Sequence, residues 1–329
     1  MSSIAKASAG GKRPFIMRRG IATMSDLADG GAGSLVGAGG KWYYCDPTNG
    51  TAGGDGLSAE TANSSLETVY ALTRSGRNDG VFFIGGATAF NPTAAFDWDN
   101  NYCHLIGISG DLPGKCQRCR IVALAATNLT DVMTVSGAGC VFKNIQFNNA
   151  ETTGAIGSIT VTGLRNYFEN CFFMNPTSTS ATAWAAVVSG DESAFVRCTF
   201  GQHTNVRTTS SYGLWVKTGG NSLKFIGCEF LSWSDQVAHE LVHLDSGITG
   251  EAWQIQFEDC LFQNLGNASL SYAIVDASTG QYHQVIFRGN NNQMVKVTAA
   301  SDTLANTYVS DALGSHAKSG LMSVNVVES

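Results

Sequence analysis

VFKNIQF (141–147), YFENCFF (167–173), FVRCTF (195–200), KFIGCEF (224–230) and QFEDCLF (256–262) share one template: Phe, two residues, Cys or Ile, one residue, Phe. The first Phe falls at 142, 168, 195, 225 and 257, in steps of 26, 27, 30 and 32. A degenerate sixth copy begins at Phe287, with Asn290 and Asn292 in place of the Cys and the second Phe. Self-similarity at such a period marks a solenoid, whose units bury their apolar faces only against one another.

A second column precedes each copy: VMTVSG (132–137), SITVTG (158–163), AAVVSG (185–190), LWVKTG (214–219), LVHLDSG (241–247) and AIVDAS (273–278). Each unit therefore reads as a β-branched strand ending in Ser, Thr or Gly, a second strand, a corner and a third strand. The corner holds Asn144, Asn170, Arg197, Gly227 and Asp259; Asn, Gly and Asp tolerate the left-handed backbone that a sharp bend requires. Loops of unequal length (150–157, 174–183, 201–211, 231–240 and 263–271) absorb the drift in period. Three short strands per unit without an intervening helix predict an all-β chain, a single-stranded right-handed parallel β-helix. Coils would stack about 4.8 Å apart, so like side chains form ladders. Phe142, Phe168, Phe195, Phe225 and Phe257 should fill the interior with Cys171, Cys198, Cys228 and Cys260.

The chain has 329 residues, 43% hydrophobic and 14% charged, with 38 Gly and 5 Pro. That is ample for a core and excludes wholesale disorder; Gly without a G-X-Y period excludes collagen. Nine cysteines, most inside strand-like runs, are expected to be free and buried rather than a disulfide scaffold. Ladder cysteines lie in a line rather than around a tetrahedron, and Cys116-x-x-Cys119 has no second pair, so neither metal nor cofactor is expected. No apolar run approaches the roughly 20 residues of a membrane span, and the start lacks an apolar signal core, so neither membrane association nor signal-directed secretion is expected.

Residues 1–40 hold Lys6, Lys12, Arg13, Arg18 and Arg19 against Asp26 and Asp29, a net of +3 (5 − 2); with −6 for the whole chain, the other 289 residues carry −9. A basic, Gly-rich arm (1–40) on an acidic body is expected to dock on another chain, with nucleic acid a poorer partner for so acidic a body. A cap with a short helix (41–80) should follow, then the β-helix (81–297) and a C-terminal cap or assembly segment (298–329). The helix is expected to begin at Asn63 or Ser64, with Leu66, Val69, Tyr70 and Leu72 over the first coil.

The cap resembles a known entry segment. The order Tyr43-x-x-Asp46-Pro47, Asp55-Gly56, Ser58, helix, then strand-Gly85-Gly86 is similar to that of pectin-lyase-like β-helix proteins, a superfamily of polysaccharide lyases, glycoside hydrolases, phage tailspikes and other phage surface proteins. The resemblance covers about 42–297 at the level of fold and by itself implies no activity. The hydrolase pattern of that superfamily, with paired Asp-Asp, His-Gly and Arg-x-Lys, is missing from the sequence.

One outward column deserves a chemical reading: Ser136, Thr162, Ser189, Lys217, Asp245 and Asp276, with Val187, Trp215, His243 and Ile274 beside it. Asp245 and Asp276 one coil apart would stand near the roughly 5 Å spacing of retaining glycosidases, with Trp215 as a sugar platform and His243 and Lys217 nearby. The plainer reading is a surface ladder in which Lys217 pairs with Asp245. Weighing a basic arm, a rigid body and a thin catalytic endowment, the expected function is a non-enzymatic structural protein of a phage particle. It would be a capsid decoration or head-fibre protein, made in the bacterial host cytoplasm and displayed on the virion surface. The alternative is a short tailspike that binds or depolymerises host surface polysaccharide; a bacterial carbohydrate-active enzyme comes third. A homotrimer is expected, with the loops 174–183, 201–211 and 231–240 and Trp184 and Trp233 at its interface.

Overall fold

A computed structural model of the chain describes residues 40–94, 96–109, 118–125, 127–152, 156–176, 183–202, 204, 206–207, 211–236, 238–246, 248, 254–266, 270–276, 284–293, 295–301 and 307–309. The basic residues of the arm, Lys6 to Arg19, and Cys116 lie outside them.

Three parallel sheets form the walls of a β-helix. The first has ten strands, from Trp42–Cys45 to Thr307–Val309; the second has seven, from Cys119–Ala123 to Asn291–Gln293; the third has seven, from Met133–Val135 to Val295–Ser301. Within a coil the chain runs through the third sheet, the first and the second, then a loop. Register is set by the repeat: Phe142, Phe168, Phe195, Phe225, Phe257 and Phe287 are successive Cα partners in the first sheet. Phe147, Phe173, Phe200, Phe230 and Phe262 do the same in the second.

These rings make the core. Phe142 to Phe257 stack at centroid spacings of 4.7 to 5.0 Å with planes within 11°, close to the strand spacing that imposes them. The second column stacks at 5.0 to 5.5 Å above Phe200 and 4.9 to 5.0 Å below it. The two columns meet edge to face, as between Phe195 and Phe200 (5.6 Å, 63°), the arrangement that ring quadrupoles favour.

The bend between the first and second sheets takes one residue in the left-handed region: Asn144 (φ 60°), Asn170 (51°), Arg197 (53°), Gly227 (60°), Asp259 (53°) and Gly289 (67°). Asn170 donates to the Asn144 side chain at 2.7 Å, and Asn144 donates in turn to the Gly107 carbonyl at 3.3 Å. Arg197 has no intrinsic liking for this conformation; its N–H reaches the Ile226 carbonyl at 2.8 Å and its guanidinium pairs with Glu169. The cysteine after the bend points inward. Cys171, Cys198, Cys228 and Cys260 are buried and free, each thiol donating to a Phe carbonyl of the preceding coil at 3.3 to 3.6 Å. Burial pushes Cys198 and Cys260 up, and holds Cys119 at about 11. The Cys119, Cys198 and Cys260 thiols therefore stay protonated at neutral pH.

The N-terminal cap departs from expectation in two details. The helix (α1) spans Leu66–Tyr70, with Ser65 as its N-cap accepting from the Thr68 N–H at 3.2 Å. It starts later than expected because Asn63 is committed elsewhere. Its side chain donates to the Ala52 and Gly54 carbonyls and accepts from Ser65 N–H, closing the preceding loop. Leu66, Val69 and Tyr70 are buried as expected, but Leu72 is 41% exposed, because the helix ends at Tyr70 and turns it outward. At the other end parallel pairing continues past residue 297, through Val295–Ser301 and Thr307–Val309. Among the described residues no helix is long and apolar enough to cross a membrane.

Candidate functional site

The outer face of the third sheet gathers the residues with chemical potential. Thr160, Val187, Trp215, His243 and Val275 are successive Cα partners. Beyond the strand ends, the N–H groups of Thr162, Ser189, Lys217 and Asp245 each bond the equivalent carbonyl one coil back, at 2.9 Å. The expected column is thus real as far as Asp245.

It fails at the next coil. Leu244, not Asp245, is the partner of Asp276, and Val275, not Ile274, faces His243. Ile274 is drawn inside beside Val242, where it is 1% exposed, and burying that side chain outweighs extending the polar column. The proposed Asp245–Asp276 pair therefore does not exist as a matched rung.

Asp245 has other commitments. Its carboxylate accepts from the Trp215 indole N–H at 2.9 Å, and the Lys217 ammonium stands 3.8 Å from the centre of the Trp215 ring and 5.7 Å from that of Trp184. Lys217 thus acts on the aromatic face. Among the ion pairs of the described residues the expected Lys217–Asp245 pair does not figure; the two charges instead share Trp215, Lys217 over its ring face and Asp245 at its indole N–H.

Three further residues belong here that strict strand alternation does not point to: Trp184, Tyr212 and Glu240, register partners of one another. Two consecutive core residues follow Trp184 and Glu240, namely Ala185–Ala186 and Leu241–Val242, and this local rotation turns the preceding residue outward. The spacings Tyr212-x-x-Trp215 and Glu240-x-x-His243 were the available signal. Tyr212 stacks on His243 at 4.4 Å, and His243 Nδ1 meets a Glu240 oxygen at 2.5 Å. Burial, with Glu240 and Asp245 close by, pushes the Tyr212 phenol up.

Above them Asp131 accepts from Thr160 Oγ1 at 2.9 Å and from Trp184 Nε1 at 3.3 Å. Burial pushes its carboxyl up, against the pull of those bonds and of Lys217. Trp184 lies flat over Gly157, where a Cβ would come within 1.8 Å of its indole nitrogen. Trp184 is 7% exposed within its own chain and so is no intersubunit anchor, whereas Trp233 is 36% exposed. Among the described residues no group of three His, Cys, Asp or Glu is arranged to hold a metal ion.

The face is thus an aromatic shelf braced by charges, on a scaffold whose fold is the pectin-lyase-like right-handed parallel β-helix. Solved structures of this architecture align over most of the chain. A pectate lyase, Pel9A, matches at TM-score 0.51 and 16% identity over 84% of this chain and 78% of its own. Pectin methylesterase PemA from Erwinia chrysanthemi matches at 0.53 and 12% over 83% and 90%. A rhamnogalacturonan lyase matches at 0.50 and 13% over 77% and 74%. At such identities the likeness is one of fold. No protein-family profile and no curated protein matches the sequence.

Proposed function

We propose that this chain is a non-enzymatic structural protein of a phage particle, a capsid decoration or head-fibre protein anchored by residues 1–40 and acting as a homotrimer on the virion surface. The observation that carries the non-enzymatic part is the fate of the acidic groups on the third sheet. Asp245 is bound to Trp215, Glu240 to His243, and Asp131 to Thr160 and Trp184, while Asp276 stands out of register with Asp245. Carboxylates so engaged brace a surface, whereas glycoside hydrolysis by paired carboxylates needs two that flank the scissile bond at a set spacing. The basic arm supports the anchoring, since three copies on one trimer would multiply weak contacts with an acidic partner.

Removing residues 1–40 is expected to leave a folded solenoid, with unchanged far-UV circular dichroism, that no longer attaches to particles. Full occupancy by the truncated protein would defeat the anchoring role. Incubation with host polysaccharide is expected to release no new reducing ends, and their release would defeat the non-enzymatic reading.

A second reading, saccharide contact by a tailspike-like protein, is favoured by Trp215, Tyr212 and His243 clustered on one outer face. The compared proteins, by their names, act on pectate, pectin and rhamnogalacturonan. On this reading Trp215→Ala should weaken polysaccharide binding by about tenfold or more, as loss of one stacking platform would. Isothermal titration against host surface polysaccharide checks it, and equal binding by both proteins removes this reading.

A further inference from the structure

The outer face of the third sheet joins two kinds of surface. Over the strands Met133–Val135 and Gly157–Val161 and the residues just past them it carries hydroxyls, those of Thr134, Ser136, Thr160 and Thr162. Over Tyr212–Val216 and Glu240–Leu244 it carries rings: Tyr212 lies 5.2 Å from Trp215 and 4.4 Å from His243. All of these side chains are at least partly exposed, so the face is open to a ligand from outside. Rings beside hydrogen-bonding groups suit a sugar, whose C–H face packs on the aromatic surface while its hydroxyls reach the polar atoms.

The charge on this face decides which sugars. Asp131, Glu240 and Asp245 stand on it, partly exposed, and Asp97 is exposed at its early end. Asp97 is bridged to Thr134 and accepts from the Ser136 hydroxyl at 2.8 Å. Between the strands Met133–Val135 and Glu240–Leu244 the described residues set one ammonium against these carboxyl groups, that of Lys217, and it lies over the Trp215 ring.

A polyuronate brings a carboxylate with every sugar. Laid on this face it would set like charges side by side, with no second cation to receive them, and such juxtaposition opposes docking. An uncharged glycan meets no such opposition. Its hydroxyls donate to the same carboxylates in charge-assisted bonds, the stronger kind, and a carboxylate that already accepts one bond has lone pairs for another. The acidic groups that repel one class of sugar therefore hold the other.

We propose that the outer face of the third sheet takes uncharged glycans and turns polyuronates away, with Tyr212, Trp215 and His243 as the stacking surface and Glu240 and Asp245 as acceptors for sugar hydroxyls. This rests on the saccharide-contact reading and adds the class of saccharide. It is compatible with a non-enzymatic virion protein, since binding needs no acid–base pair.

Binding of the full chain to an array of neutral and uronate glycans tests it, with one matched pair measured by titration: a soluble polyuronate and the same polymer after reduction of its carboxyl groups. Uncharged glycans should head the array, and at low salt the reduced polymer should bind about tenfold or more tighter than its parent. That gap should shrink between about 0.01 M and 1 M salt, as the screening length falls from about 30 to 3 Å. Glu240→Gln combined with Asp245→Asn, whose amides still accept from His243 and Trp215, should narrow the gap to about threefold or less with the far-UV spectrum unchanged. Lys217→Met should widen it. Uronates at the head of the array, or equal binding by the matched pair, would overturn the proposal and leave saccharide contact standing. Binding of no glycan at all would overturn both.

Discussion

Phe195→Ala is expected to destabilise the fold by about 3–5 kcal/mol, the range for emptying a buried aromatic site. Phe195 is fully buried; it stacks on Phe168 at 4.8 Å and Phe225 at 5.0 Å and meets Phe173 and Phe200 edge-on at 6.2 and 5.6 Å. The hole cannot close. Ala194, Phe195 and Val196 are held in parallel register on both sides, so neighbouring coils cannot move in without breaking ladder hydrogen bonds. A domain is ordinarily stable by about 5–15 kcal/mol, so the loss takes a large share. In a solenoid it falls at one interface, where coils on either side can uncouple. Urea denaturation followed by circular dichroism should show a lower midpoint and a broader or split transition. A change below about 1 kcal/mol would mean that the ring column is not the principal support of the core.

Mild acid should be the second severe stress. His104 and His239 are buried, and burial depresses both, to about 4 for His104, opposed by Asp79, and to about 3 for His239, reinforced by Arg207. In the unfolded chain both titrate near 6.5. Above that pH neither state carries the extra protons and the contribution to stability is complete. Between about 6.5 and 4 the unfolded chain binds protons that the folded one refuses, so stability falls as pH falls, by about 1.4 kcal/mol per pH unit for each histidine. Over the window the two together are worth on the order of 7 kcal/mol. Unfolding near pH 5 should take up about two protons, measurable by calorimetry in buffers of differing ionisation enthalpy. Unfolding without proton uptake there would show that neither histidine is held neutral by its surroundings.

The architecture was legible because it is written in repeated residues: Phe168, Phe195, Phe225 and Phe257 each announce one rung, and Asn144, Asn170, Gly227 and Asp259 each announce one bend. Arg197 at the equivalent bend was legible only through the rungs on either side, since its own chemistry does not predict a left-handed backbone. The outer face was harder to read. Trp215, Lys217, His243 and Asp245 were found by counting along the strand, but Trp184, Tyr212 and Glu240 were not, because counting by twos assumes a regular pleat. The same assumption carried Asp276 into the polar column when the burial of Ile274 had set that strand one residue away. The early start given to α1 had a similar origin. Asn63 has the side chain of a helix cap, and only the folded loop reveals that it is already spent on the carbonyls of Ala52 and Gly54.

The single-residue bend has a consequence for how such a molecule changes size. Each bend, with one strand from each wall, closes a self-contained lap, and every lap offers the same faces upward and downward. Excising residues 168–194 would bring Phe195 over Phe142 in the place that Phe168 now fills, and duplicating them would add one more identical storey. The protein's length is therefore quantised: it can grow or shrink by whole storeys of about 4.8 Å, with every ring still finding a ring beneath it, while residues added within a lap go into its loop and leave the height unchanged, as the steps of 26 to 32 residues show. A chain built this way is a ruler whose graduations are set by copy number, so the distance between its two ends can be reset by a single in-frame duplication or loss.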